Sequence, residues 1–399
     1  MWTDHHPGAA LPELFATGGD TVSFAGGLPD LEALPLRTLS SQVSRLMGLG
    51  GRLTLQYTTT RVAPSLVPAI RDLMGREGAS ATSEQLVPTT GSQMGLLAVA
   101  LGVGAPGDPV LLPTPAYPGA AAAFRTAGME PRALPEDADG PDPAALYETV
   151  RTLRADGRNP RLLYCNPTFR NPTGATIPTP RRRELLAAAA DLELLVVEDN
   201  PYGLLAFDGS TTPALHALDP ERVIYLGTFS KVFAPGLRCG WIAAPEHLAP
   251  ALRRTAEVMT LSPSALSQAT IAAFHTRHGW DDLLDGYRTA YRERCALMAD
   301  ALDAELGPDG PWRFDRPDGG FYLWLRHRDG QDTERLTGPA AAIGVSFVPG
   351  SHFGVGREHA GALRLAFSNA PRRRIAEGVC RLAAALAATP APPARGGDR

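Results

Sequence analysis

Four short apolar runs in the centre of the chain, PVLLPTP (109–115), PRLLYCNP (160–167), LELLVVEDN (192–200) and RVIYLGTFS (222–230), limit what it can fold into more than any other feature. Each holds a few consecutive apolar residues, is closed by Pro, Gly, Asn or Asp, and is followed by sequence of helix length. Runs this short and this apolar read as strands buried on both faces, and the spacers read as the helical crossovers that parallel strands require. In such a sheet, functional groups collect at the carboxyl ends of the strands. The polar residues ending the four runs are Tyr117, then Asn166 and Asn171, then Asp199 and Tyr202, then Ser230 and Lys231. The pattern gathers them around one cleft.

Lys231 is the only lysine in a chain that has 38 Lys and Arg residues. An arginine-rich background explains this by chance; a chemistry that needs a primary amine explains it by necessity, because a guanidinium does not act as an amine nucleophile. At the end of an apolar strand a lysine loses hydration, its pKa falls, and the free amine can form a Schiff base. Asp199 closes LLVVED, a run too apolar for a carboxylate that meets no cation, although a turn residue before Asn-Pro is spelled the same way. Arg238 follows shortly after Lys231, and with Thr228 and Ser230 it offers directed donors for a phosphate; a surface arginine reads alike. TTGSQMGLLAVALGVGAPGD (89–108) opens as a small polar loop and continues as a helix, whose first amides make an anion cradle or an ordinary N-cap.

At 399 residues and 44% hydrophobic content the chain can bury a large core and has room for two domains. A net charge of −4 provides no basic field for nucleic acid or an anionic membrane. Small molecules or further copies of the chain are the expected partners. Cys165, Cys239, Cys295 and Cys380 lie far apart with no C-x-x-C, which indicates neither a zinc site nor a disulfide framework. His5 and His6 are followed by no third ligand at metal spacing, so no metal is expected. With no basic-then-apolar leader and no apolar run approaching a membrane span, the chain reads as soluble and cytoplasmic. No G-x-G-x-x-G opens a helix after a strand, and GLGG (48–51) lacks that spacing, which argues against a Rossmann dehydrogenase.

Together these segments resemble the fold-type I enzymes that depend on pyridoxal 5'-phosphate (PLP), in particular class I/II aminotransferases of the 2-aminoadipate and aromatic group. The resemblance is carried by SFAGGLP (23–29), LQYTTT (55–60), TTGSQMGL (89–96), PTPAYPG (113–119), NPTFRNPTGATIP (166–178), VVEDNPYGLL (196–205), GTFSKVFAPGLRCGWIAAP (227–245), RPDGGFYLWL (316–325), VSFVPGSHF (345–353) and LRLAFSN (363–369). It implies an α/β fold, with a large domain built on a mostly parallel seven-stranded sheet between helices, and a smaller α+β domain. It divides the chain into an arm (1–38) that packs with the small domain and a partner subunit, a large PLP-binding domain (39–272), a small C-terminal domain (273–388) and a disordered tail (389–399).

Carried over by motif position, Lys231 would be the internal aldimine lysine and proton shuttle of a ping-pong exchange between an amino acid and an α-keto acid. Asp199 would pair with the pyridine nitrogen, Tyr202 and Asn171 would bond the phenolic oxygen, and Tyr117 would stack on the ring. Ser92, Gln93, Thr228, Ser230 and Arg238 would hold the phosphate, with Tyr57 reaching across from the second subunit of a homodimer. Arg364 would take the substrate α-carboxylate, with Asn171 and the Gly27 amide beside it. Specialised amino-acid metabolism or biosynthesis is the implied setting.

The sequence departs from the pattern after Tyr57, where Arg61 and Val62 replace the usual acid-glycine pair. The arm offers Glu13, Asp20 and Asp30 and no arginine before Gly26, which leans towards a neutral or basic donor over glutamate. Two alternatives keep their place. A PLP-dependent lyase, decarboxylase or oxidase would use the same electron sink, and a ligand-sensing regulator would need a DNA-binding domain for which the expected core leaves no room.

Overall fold

The computed structural model describes residues 20–356 and 358–388. His5, His6, Glu13 and the 389–399 tail lie outside the described residues. Seven strands form the main sheet: β1 (Leu86–Thr89), β2 (Pro109–Pro113), β3 (Glu130–Leu134), β4 (Leu162–Cys165), β5 (Leu195–Asp199), β6 (Val223–Thr228) and β7 (Gly240–Ala243). Their spatial order is β1-β7-β6-β5-β4-β2-β3. Only β7 runs against its neighbours, and the remaining pairs are parallel.

The four apolar runs are β2, β4, β5 and β6, side by side in the middle of this sheet. Alternate residues point to opposite faces, and each face has its own core. Val110, Leu112, Leu162, Tyr164, Val197, Ile224 and Leu226 pack under helices Ser92–Val103 and Pro118–Thr126. Leu111, Leu163, Cys165, Val196 and Val223 pack under helices Pro143–Ala155 and Thr179–Asp191. Burial on both sides explains why the runs are continuously apolar and do not alternate.

A second sheet follows helix Asp281–Leu306, which begins with Asp281 and Asp282 against its dipole and ends at Gly307, held at φ +66°. Its strands are β8 (Trp312–Arg313), β9 (Tyr322–His327), β10 (Val348–Pro349) and β11 (Ala362–Ala366), antiparallel in the order β8-β9-β11-β10. Helix Ile375–Ala388 lies along Asp281–Leu306 behind it.

The described end of the arm is tied to this second sheet. Val22–Ser23 pairs in parallel with Val345–Ser346, and the Phe24 carbonyl accepts from the Ala366 amide at 2.8 Å. The segment GVSFVPG (344–350) is therefore split: its first half pairs with the arm, its second with β11, and buried Phe347 lies between. Residue 272, the expected domain boundary, falls inside helix Ala265–His278, and the chain leaves that helix only at Gly279. No helix among the described residues is long and apolar enough to cross a membrane.

Candidate active site

The carboxyl ends of β4, β5 and β6, the start of helix Ser92–Val103, the arm and two residues of the second sheet enclose a cavity of about 260 Å³. Of the residues singled out from the sequence, Gly27, Ser92, Tyr117, Asn171, Asp199, Tyr202, Lys231 and Arg364 line it. Elements far apart along the chain meet here because strand ends of one sheet converge and the arm bridges to the other.

Lys231 is half-buried, and its open part faces the cavity. Its Nζ donates to the Gly27 carbonyl at 2.7 Å. Burial, reinforced by the nearby Arg364 guanidinium, pulls its pKa down to about 8 against the attraction of Asp199. Asp199 is 3% exposed, and its Oδ2 accepts from the Tyr164 hydroxyl at 3.0 Å. Desolvation pushes its pKa up to about 6, opposed by Tyr164 and Lys231. Its other oxygen, Oδ1, is buried with no hydrogen-bond partner among the described residues. Such an oxygen costs free energy unless a donor or cation meets it.

Beside β6 lies a cluster of donors. Thr228 Oγ1 bonds Ser230 Oγ at 3.0 Å and accepts from the Ser230 amide at 3.1 Å. Arg238, at φ +48°, donates to the Thr90 carbonyl at 2.7 Å. Gly91 caps the helix that starts at Ser92 with φ +105°, and a Cβ there would lie 2.8 Å from Arg238 Nη2. The cap must therefore be glycine, which leaves the helix amides open to an anion. Gln93 is turned aside, donating to the Gly119 carbonyl at 2.8 Å.

On the opposite wall Arg364, 5% exposed, donates to Asn171 Oδ1 at 2.8 Å and to the Ala25 carbonyl. Its Nε is buried and unpartnered among the described residues. Tyr57 is brought to no part of this cavity: it is 78% exposed on the surface of the chain. Asp20 and Asp30, expected near the substrate, do not line the cavity either. Asp20 is gripped by Arg374 and Arg381 at 2.6 and 2.8 Å. Asp30 is buried against Arg294 at 2.7 Å. The lean towards a basic donor loses these two acids, since each is already neutralised by an arginine distant in sequence.

The family model for class I and II aminotransferases matches residues 30–382. The chain belongs to that family. It is 35% identical over 91% of its length, and 87% of the relative's, to aromatic-amino-acid aminotransferase 1 of Thermococcus litoralis. It is 36% identical over 92% of its length, and 90% of the relative's, to 2-aminoadipate transaminase of Thermus thermophilus. The crystal structure of LysN, the α-aminoadipate aminotransferase of Thermus thermophilus complexed with N-(5'-phosphopyridoxyl)-L-leucine, superposes with a TM-score of 0.85 at 35% identity, covering 92% of each chain. The protein is a PLP-dependent aminotransferase.

The aminotransferase site fits that cofactor on its own geometry. The unpartnered Asp199 oxygen suits a protonated ring nitrogen, and the glycine-capped helix start beside Arg238, Thr228 and Ser230 suits a phosphate. Among the described residues no cluster of three or more His, Cys, Asp or Glu is placed to hold a metal.

Asn166 and Tyr322 also line the cavity. Asn166 directly follows β4, where a strand-end rule already pointed. It donates to the Asp199 carbonyl and accepts from the Asn171 amide at 2.9 Å, locking the β4 and β5 ends together. Tyr322 had no such signal, because it opens a strand of the other sheet.

Proposed function

We propose that this aminotransferase moves the amino group of a neutral, monocarboxylic α-amino acid to an α-keto acid, with Lys231 as the amine and proton carrier. PLP supplies an aldehyde for the Lys231 amine and a ring that withdraws electrons from the substrate Cα. Lys231, with its pKa lowered by burial to about 8, holds or releases a proton at Nζ near neutral pH. Asp199 would keep a proton on the ring nitrogen, Tyr117 would cover the ring face, and Tyr202 and Asn171 would bond the phenolic oxygen. Ser92, the backbone amide of Gln93, Thr228, Ser230 and Arg238 would hold the phosphate.

The observation that carries the substrate reading is that Arg364 is the sole guanidinium among the described lining residues. Its fork matches one carboxylate, and the Gly27 side of the cavity completes the wall. Once the α-carboxylate is bound, no second arginine among the described lining residues remains for a distal carboxylate. The aromatic-amino-acid activity named for the Thermococcus relative supports this reading, and the 2-aminoadipate activity of the Thermus relative is its natural competitor.

The working unit we propose is a cytoplasmic homodimer with composite sites. Leu53, Leu55, Tyr57, Val258 and Leu261 are exposed apolar side chains on two segments that the Thr58 amide joins by donating to Ser262 Oγ at 3.3 Å. An apolar surface of this kind needs a cover, and a second copy would bring Tyr57 and Arg61 to the neighbouring cavity.

The test is a panel of amino acids scanned for the loss of the cofactor's visible band, with keto-acid products identified by mass spectrometry. Phenylalanine, leucine or methionine should react at least about tenfold faster than glutamate or 2-aminoadipate. The reverse order would assign a distal-carboxylate site, with Arg61 of the partner as its first candidate.

A further inference from the structure

Tyr322 opens β9, is 2% exposed and reaches the cavity. Its Oη lies 2.9 Å from Tyr202 Oη, and the two rings meet edge to face with centroids 5.7 Å apart. On the other side the arm closes in: a Cβ on Gly27 would stand 2.0 Å from Tyr322 Oη, so only glycine lets the backbone pass this hydroxyl. The ring carries a second contact, with the Arg364 guanidinium carbon 4.5 Å from its centroid. One side chain therefore touches both the tyrosine read as the phenolic-oxygen partner and the arginine read as the carboxylate partner.

A tyrosine hydroxyl has a single proton to give. Among the described residues Tyr202 and Tyr322 are each other's only hydroxyl partners, and Gly27 hems in Tyr322 Oη. If Tyr202 gave its proton to Tyr322, it could only accept from a group in the cavity. If Tyr322 gives its proton to Tyr202, the Tyr202 proton is free to point into the cavity, and the two bonds polarise one another.

We propose that Tyr322 is a positioning residue for amino-group transfer: its hydroxyl donates to Tyr202 Oη and aims the Tyr202 proton at the cofactor's phenolic oxygen, while its ring face holds Arg364 for the substrate carboxylate. This rests on the roles given above to Tyr202 and Arg364. The two functions are separable, because phenylalanine at 322 keeps the ring and loses the proton, whereas leucine loses both.

The experiment titrates the visible absorption of the cofactor-loaded protein with pH and measures kcat and KM for the preferred amino acid in wild type, Tyr322→Phe, Tyr322→Leu and Tyr202→Phe. A hydrogen bond to the ionised oxygen favours ionisation, so weakening it raises the pH at which the band changes. Tyr322→Phe should raise that midpoint by roughly 0.5–1 unit while keeping KM within about twofold of wild type. Tyr322→Leu should raise KM by roughly 2- to 30-fold through loss of the ring under Arg364, and the phenylalanine variant should show that rescue. An unshifted midpoint in Tyr322→Phe, or an unchanged KM in Tyr322→Leu, overturns the proposal. If Tyr202→Phe also leaves the midpoint in place, or borohydride traps no cofactor on Lys231, the reading beneath it fails and the proposal falls with it. If both controls behave and Tyr322→Phe is inert, the proposal alone fails.

Discussion

Lys231 and Asp199 are placed where each is costly to the fold. In the cofactor-free protein the Lys231 pKa is near 8, below the 10.5 of a free lysine. Between those values the unfolded chain binds a proton that the folded chain does not, so stability rises with pH there and the full penalty is present below about 8. Cofactor-free Lys231→Met should therefore be more stable than wild type at pH 7, by roughly 1–3 kcal/mol, and the gap should close as pH rises towards 10. Denaturant melts at several pH values check this; a less stable variant at pH 7 would contradict it. Asp199 titrates in the opposite sense: its pKa is raised to about 6, so its burial costs most above that pH. Asp199→Asn should leave the cofactor-free fold intact at pH 7 and lower turnover by at least about 100-fold, measured as single-turnover rates. A variant within a few fold of wild type removes Asp199 from the chemistry. Both residues were legible in the sequence because the chain's single amine and a carboxylate closing an apolar run stood at neighbouring strand ends, inside segments that match one family. Tyr322 was not, since nothing local distinguishes a buried tyrosine that packs from one that also bonds Tyr202.

At the scale of elements, β2, β4, β5 and β6 could be read because burial on both faces erases the polar half of the strand pattern. The helix after Gly91 could be read from its small polar start. What the local pattern could not give is pairing across long stretches of chain. The split of GVSFVPG depends on Val22–Ser23 adding to one half, and the fates of Asp20 and Asp30 depend on arginines in helices near the other end of the chain. The Asp30–Arg294 pair is the clearest case: both side chains are about 5% exposed, and Arg294 Nε also donates to the Ala370 carbonyl at 3.1 Å. It pins the arm to helix Asp281–Leu306. Removing one partner leaves a buried charge, so Asp30→Ala should cost about 3–5 kcal/mol, and adding Arg294→Met should recover most of the loss. Chemical denaturation of the single and double variants decides it, and additive losses would show that the pair is not the anchor.

In the whole molecule, the proposed homodimer would set Tyr57 at the neighbouring subunit's site. Tyr57→Phe and Lys231→Ala proteins, mixed and allowed to exchange subunits, should then exceed the summed activity of the two alone, because one site of each mixed dimer has both native residues. An active monomer by light scattering, or no complementation after verified exchange, would return Tyr57 to the surface of a single chain. If the chain's one lysine is the amine that binds the cofactor, the chain's own composition provides the sharpest test. A lysine-specific endoprotease can cut the denatured untagged chain at one place only, giving residues 1–231 and 232–399. The cofactor-loaded protein should be reduced with borohydride, denatured, digested and weighed by mass spectrometry. The expected product is an uncut chain carrying the mass of one reduced cofactor, because a secondary amine at Lys231 no longer presents the protease with lysine. Complete cleavage into the two unmodified fragments after reduction would contradict it.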